Sequence, residues 1–205
     1  MKTIKKETCK GVIKIKKLFS MGYMPSRENQ SYLAISPKTK TSYTHTANCF
    51  AHACLNLTNE QLDKLNLDRC DTNTFDIKTY LYEPIEHMEN TFLKRIQRFG
   101  LKATPCEDND LSNNENQWKV ALYFGLSPLT LDYDYHFLKQ EKDGTWSSKV
   151  GWGSTELQHF SSLPDTYISP NNVGYSYYKT YIITNPFVEI KNEPNTQQEE
   201  DLNQK

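Results

Sequence analysis

The sequence predicts an α+β domain in which helices come first and an antiparallel sheet follows. Three observations carry that expectation. Apolar residues recur at helical spacing through Phe92, Leu93, Ile96 and Phe99, with Gly100 where a helix stop belongs. Strand-like runs rich in β-branched and aromatic residues follow that glycine. Asp143-Gly144 then separates two such runs, the composition of a tight hairpin.

Taken in order, Gly11 to Phe19 partly alternates apolar and basic residues, which suits an edge strand or an N-terminal arm with its lysines in water. Residues 25–48 carry Pro, Ser, Thr and Asn without a period and read as loop. Cys49-Phe50-Ala51-His52-Ala53-Cys54-Leu55 is compact and helix-compatible, with Thr46 and Asn48 as N-cap candidates. Thr58 and Gln61 have the spacing of a capping box for a second helix. Residues 75–99 form the longest helical stretch, interrupted at Pro84.

Beyond Gly100 the predicted strands are Leu101–Thr104, Trp118–Phe124, Tyr133–Gln140, Thr145–Lys149 and Tyr175–Thr184. The tail from Glu189 is rich in Asn, Gln and Glu and lacks aromatics, so it is expected to be disordered. The organisation expected is an arm and loop over 1–42, an α+β domain over 43–188 and a polar tail over 189–205.

A chain of 205 residues is long enough for one domain with a sizeable core. Its 13 Tyr, 9 Phe and 3 Trp supply the large rings that offset chain entropy. With 24 basic and 25 acidic side chains the net charge is -1, so no overall basic field exists to hold nucleic acid. Five cysteines at irregular spacing argue against a disulfide scaffold and for reduced thiols in a cytoplasmic setting. The basic N-terminus has no apolar run of signal-peptide length, and no membrane span is expected.

The chemistry points to Cys49. A thiol is a strong nucleophile only as the thiolate, and a helix N-terminus favours the anion. Cys49 follows a polar loop at the start of an apolar helix. A base should then reach it from a rigid strand, and His136 lies on the strand before the Asp-Gly hairpin.

A Cys at a helix start after an Asn-containing loop, then further helix, then a His opening a hairpin strand, resembles the papain-like cysteine hydrolases, and among them the NlpC-type branch. The order of elements carries the resemblance over roughly residues 43–184. It implies a papain-like fold, N-terminal helices packed on a C-terminal antiparallel sheet, with no cofactor and no metal. It also implies a residue that orients the imidazole about a dozen positions past the His, which here is Ser148. The family typically presents His, Asn or another strong polar group there, and a serine hydroxyl stabilises an imidazolium less well. Asp134, two residues before His136 and on the same strand face, is a further candidate. The Cys49 backbone N–H and a donor from Tyr43, Thr44 or Asn48 would hold the oxyanion.

The function implied is a thiol hydrolase acting on a peptide, isopeptide or related acyl bond, with that substrate as partner. The alternative is the same fold, catalytically weak or inactive, used as a binding or inhibitory protein. Each residue also has a plainer role. Cys49 and Cys54 suit a helix core, His136 a sheet interior, and Trp146 and Trp152 a core or rim. A zinc site from His45, Cys49, His52 and Cys54 competes locally, but four ligands crowded into a loop and a single turn would struggle to reach a tetrahedral centre.

Overall fold

A computed structural model describes residues 13–22, 49–55, 79–80, 85–107, 116–126, 132–149, 157–170 and 172–188. Their centre is an eight-stranded antiparallel sheet. In chain order its strands are β1 (Thr79–Tyr80), β2 (Lys102–Cys106), β3 (Gln117–Leu126), β4 (Asp132–Gln140), β5 (Trp146–Lys149), β6 (Leu157–Phe160), β7 (Thr166–Ile168) and β8 (Gly174–Thr184). The main spatial order is β2-β8-β3-β4-β5-β6, with β1 paired to β4 and β7 to β8. Pro105 fits the edge strand β2, because an edge spares one row of backbone donors.

Side chains alternate across the strands, so the sheet has two apolar faces. One carries Trp118, Val120, Leu122 and Phe124 of β3, Phe137 of β4, and Tyr181 and Ile183 of β8. The helical elements cover this face. Helix α1, residues 13–20, contributes Ile15 and Phe19, and Phe19 stacks on Trp118 at 6.4 Å. Helix α2 (Ile85–Arg98) contributes Met88, Phe92 and Ile96. The other face gathers Ala121, Tyr123, Leu138, Trp146, Tyr167 and Tyr175 into a second cluster.

Helix α2 stops where the sequence predicts. Gly100 has φ 82, and the Gly100 and Leu101 N–H groups donate back to the Gln97 and Ile96 carbonyls. That pattern satisfies the last carbonyls and needs a left-handed residue, which glycine supplies. A bulge between β3 and β8 leaves Tyr178 without a ladder partner. It lets Tyr178, Lys179 and Tyr181 all bind Glu89 of α2, at 2.8, 2.8 and 2.5 Å.

The predicted fold class is corrected here. An α+β, papain-like layering of N-terminal helices on a C-terminal sheet is not what these residues form. Among the described residues antiparallel sheet dominates, with helix in α1, α2 and the short segment 49–55. The long helix expected over 75–99 begins only at Ile85, and β1 occupies Thr79–Tyr80. Pro84 accounts for that boundary, since proline disfavours helical geometry in the residue before it. Strands β6 and β7 add sheet that the sequence pattern did not announce. The N-terminal segment, expected as an edge strand, is helical, because Ile15 and Phe19 at i, i+4 face the core while Lys16 and Lys17 stay exposed. The predicted helix at Thr58–Gln61 and the predicted polar tail lie outside the described residues. Among the described residues no helix is long and apolar enough to cross a membrane.

Candidate thiol site at the corner of β4 and β5

Strands β4 and β5 form the hairpin that the Asp143-Gly144 pair announces. Glu141 N–H donates to the Thr145 carbonyl at 2.7 Å and Gly144 N–H to the Glu141 carbonyl at 3.1 Å, while Gly144 takes φ 87. Asp143 Oδ1 accepts from the Thr145 N–H at 2.9 Å and its hydroxyl at 2.6 Å, which fixes the turn. The resulting register places Leu138 opposite Ser148 and Lys139 opposite Ser147. His136 is therefore diagonal to Ser148, within reach across the same face.

The structure brings that pair together. His136 Nε2 and Ser148 Oγ share a hydrogen bond of 2.6 Å. The imidazole stacks on the Tyr167 ring at 4.1 Å with an interplanar angle of 2°. Asp134 does not orient the ring. Its carboxylate accepts from the Tyr175 hydroxyl at 2.7 Å and from the Tyr135 N–H at 2.8 Å.

Cys49 opens a short helical segment, 49–55, whose Ala51–Leu55 part is a π turn. Such turns recur at functional sites, where the wider winding re-aims side chains. The segment is fixed to β3 by the Trp118 indole N–H, which donates to the Ala53 carbonyl at 3.1 Å. The Cys49 sulfur meets β4 one residue beyond His136. Its hydrogen-bonding neighbours are the backbone groups of Phe137 and Phe50. The described β4–β5 ladder runs from Gln140–Trp146 to Leu138–Ser148, and β5 pairs with β6 on its other side. The sulfur meets the β4 backbone at Phe137, with His136 projecting to one face of β4 and Phe137 to the other.

The groups at this corner are buried, with Cys49 6% and His136 5% exposed. Burial pushes the thiol up to about 12, Asp134 adds to the rise, and the Phe137 backbone and Lys149 oppose it. Burial alone lowers His136 to about 3. Burial thus favours the neutral thiol of Cys49 and the neutral imidazole of His136.

Sequence reasoning missed a second histidine network on the opposite face of the same corner. His52 Nε2 and Ser147 Oγ lie 3.0 Å apart, the Ser147 hydroxyl donates to Glu141 Oε1, and Lys139 Nζ pairs with the same oxygen at 3.1 Å. His52, Ser147, Glu141 and Lys139 are all buried. A readable signal existed. Counting the register outward from Asp143-Gly144 puts residues 139, 141, 147 and 149 on one face, an unusual run of charge for a covered strand.

The remaining expectations divide by what the structure describes. Tyr43, Thr44 and Asn48 as oxyanion donors, His45 as a zinc ligand, and Trp152 lie outside the described residues. Trp146 packs in the second apolar cluster and Cys54 in the first. Among the described residues no group of three or more His, Cys, Asp or Glu side chains gathers as a metal site. No protein-family model matches the chain, and no curated protein matches it in sequence.

Proposed function

We propose that the protein is a thiol hydrolase of amide or related acyl bonds, with Cys49 as nucleophile, His136 as base and Ser148 as the group that orients the imidazole. The observation that carries this reading is the 2.6 Å His136–Ser148 bond on the strand whose next residue, Phe137, meets the Cys49 sulfur. Similarity to the NlpC-type branch of papain-like hydrolases belongs to the same reading. It concerns the order of the reacting groups along the chain.

The steps follow from those atoms. His136 Nδ1 takes the thiol proton as the sulfur attacks the substrate carbonyl carbon, and a tetrahedral oxyanion forms. Collapse breaks the bond to the leaving amine or alkoxide, which receives the proton from His136. The acyl group remains on sulfur as a thioester. Water then attacks it, giving its proton to His136, and the carboxylic acid leaves as the thiolate recovers the proton.

An activated ester such as p-nitrophenyl acetate tests this directly. The expected outcome is a burst of p-nitrophenol and an acetyl group mapped to Cys49 by mass spectrometry. Cys49→Ala abolishes the adduct, and His136→Ala slows it by about 10²–10⁴-fold, the usual share of a general base. Acylation absent from Cys49, or equally fast without His136, refutes the reading.

A second reading, a catalytically silent binding or inhibitory protein, is supported by the burial and neutrality of both groups. The same ester experiment separates the two.

A further inference from the structure

Strand β7 is three residues long, and of these only Tyr167 is buried. Backbone bonds fix the strand in place. It pairs with β8 through Thr166–Ser176, Tyr167–Tyr175 and Ile168–Gly174. The Tyr177 N–H donates to the Asp165 carbonyl at 2.9 Å, and the Tyr123 hydroxyl to the Pro164 carbonyl at 2.9 Å. What the strand delivers to the interior is one ring, which lies on the His136 imidazole at 4.1 Å and 2°. The ring pairs beside it are tilted or edge-on: His136–Tyr175 at 5.6 Å, Tyr167–Tyr175 at 5.9 Å and Phe160–Tyr167 at 6.2 Å. Neutral aromatic pairs settle with centroids about 4.5–7 Å apart, whereas a cation is drawn close over a ring face. We propose that Tyr167 is a positioning residue acting through His136: its π face is the partner of the imidazolium that forms when the base takes the thiol proton. The inference rests on the thiol-hydrolase reading and deepens it, because Ser148 is a weak partner for an imidazolium and the ring face answers that weakness.

The neighbouring polar groups have bonds of their own. Tyr123 of β3, opposite His136 in the ladder, is held by Pro164. Tyr175 of β8 donates to Asp134 of β4, and that carboxylate also accepts from the Tyr135 N–H. Ser148 of β5 shares its bond with Nε2 at the edge of the imidazole, while Tyr167 covers the plane. A positive His136 also works against a positive His52 on the Cys49 segment, and the Cys49 thiol is held neutral by burial. Burial lowers His136 to about 3, so a proton on this ring needs compensation from whatever touches it. Tyr167 is raised by burial and stays a neutral phenol. Its hydroxyl is buried beside Ser148 without a hydrogen bond of good geometry, and it is the ring that meets the base.

Replacements at position 167 that change the electron density of the ring more than its shape read this contact. Phenylalanine keeps the face and removes the hydroxyl. Pentafluorophenylalanine nearly keeps the shape and reverses the charge on the face, and leucine removes the face. In the full chain with isotope-labelled histidine, nuclear magnetic resonance follows the His136 titration. Tyr167→Phe should titrate as the parent does. Tyr167→Leu should lower the His136 pKa by about one unit, a tenfold loss of proton affinity, and the fluorinated ring by at least as much. Acylation of Cys49 by p-nitrophenyl acetate should slow in the same order. A role in packing alone would leave phenylalanine and its fluorinated form alike. His136 titrating equally in the parent, Tyr167→Leu and the fluorinated variant overturns the proposal. So does a loss in Tyr167→Phe as large as in Tyr167→Leu, which would assign the effect to the hydroxyl. Should the leucine variant not fold, phenylalanine against its fluorinated form decides alone. The ester is a separate readout: if Cys49 is not acylated the hydrolase reading fails, while the titrations still decide whether Tyr167 holds the imidazolium.

Discussion

Ser147 and Ser148 are neighbours on β5, and each holds a buried histidine, yet the two faces they serve are built differently. On one, Ser148 meets His136 and the imidazole lies flat on Tyr167. On the other, Ser147 joins His52 to a carboxylate that is itself paired with Lys139. The His136 face has the His136–Ser148 and Tyr175–Asp134 bonds and an aromatic wall. The His52 face is a chain of charged and polar groups whose members depend on one another. A buried network of that kind stores its risk in each link, because removing one partner strands the rest. The His52 side ties the Cys49 segment to the hairpin, and under the proposed hydrolase function the His136 side serves the chemistry, a division of labour between the two faces.

The sharpest way to break the comparison is Glu141→Ala. It removes the Glu141 carboxylate from the buried Lys139 ammonium and from the Ser147 hydroxyl. The expected loss is about 3–5 kcal/mol of unfolding free energy, typical of breaking one side of a buried pair. Urea denaturation measures it, and Asp134→Asn on the other face should cost clearly less. Comparable losses would remove the distinction between the face of the Lys139–Glu141 pair and the face of His136.

Acid separates the faces next. Both histidines are lowered, His136 by burial and His52 by burial reinforced by Lys139 and Lys149. A folded-state pKa below the unfolded value near 6.5 means that the unfolded chain binds the proton first. Their contribution is therefore intact above about pH 6.5 and falls as the pH drops, for His136 until about 3. Each neutral histidine steepens the decline by about 1.4 kcal/mol per pH unit, or roughly 3 for the two together. Between about pH 6 and 5, above most carboxylate titration, His136→Gln and His52→Gln should each remove about half of that slope. Unfolding free energies at several pH values check this. A slope unchanged in both variants would mean that both rings are already protonated in the folded protein.

How much of this corner was legible in the sequence depends on range. Asp143-Gly144 fixed the hairpin, the alternation in Trp118–Phe124 and Tyr133–Gln140 marked its neighbours, and counting past His136 reached Ser148. Gly100 marked the end of α2 for a local backbone reason. What escaped were choices settled by distant partners. Val12 to Phe19 carries both a two-residue and a four-residue apolar period, and Trp118 from far along the chain selects the helix. Leu157–Phe160 has too little β-branched character to announce β6, which forms because β5 offers it an edge. The Ser147 network escaped because His52 reads locally as a helix residue, and its partner is 95 positions away.

The finest test uses the two serines themselves. Ser148→Ala leaves one buried imidazole nitrogen without its hydroxyl, whereas Ser147→Ala deprives both His52 and Glu141. An unmade buried bond costs about 1–3 kcal/mol per group, so Ser147→Ala should fall near the top of that range and Ser148→Ala near the bottom. Equilibrium unfolding gives the two energies and ester turnover gives their chemical effect. On the proposed division of labour the order inverts: Ser148→Ala, the milder change for stability, should reduce Cys49 acylation more, because it frees the ring that must face the sulfur. Should Ser147→Ala lead in both measurements, stability alone would account for the pair. The two faces would then be one structural unit with no preferred side for chemistry.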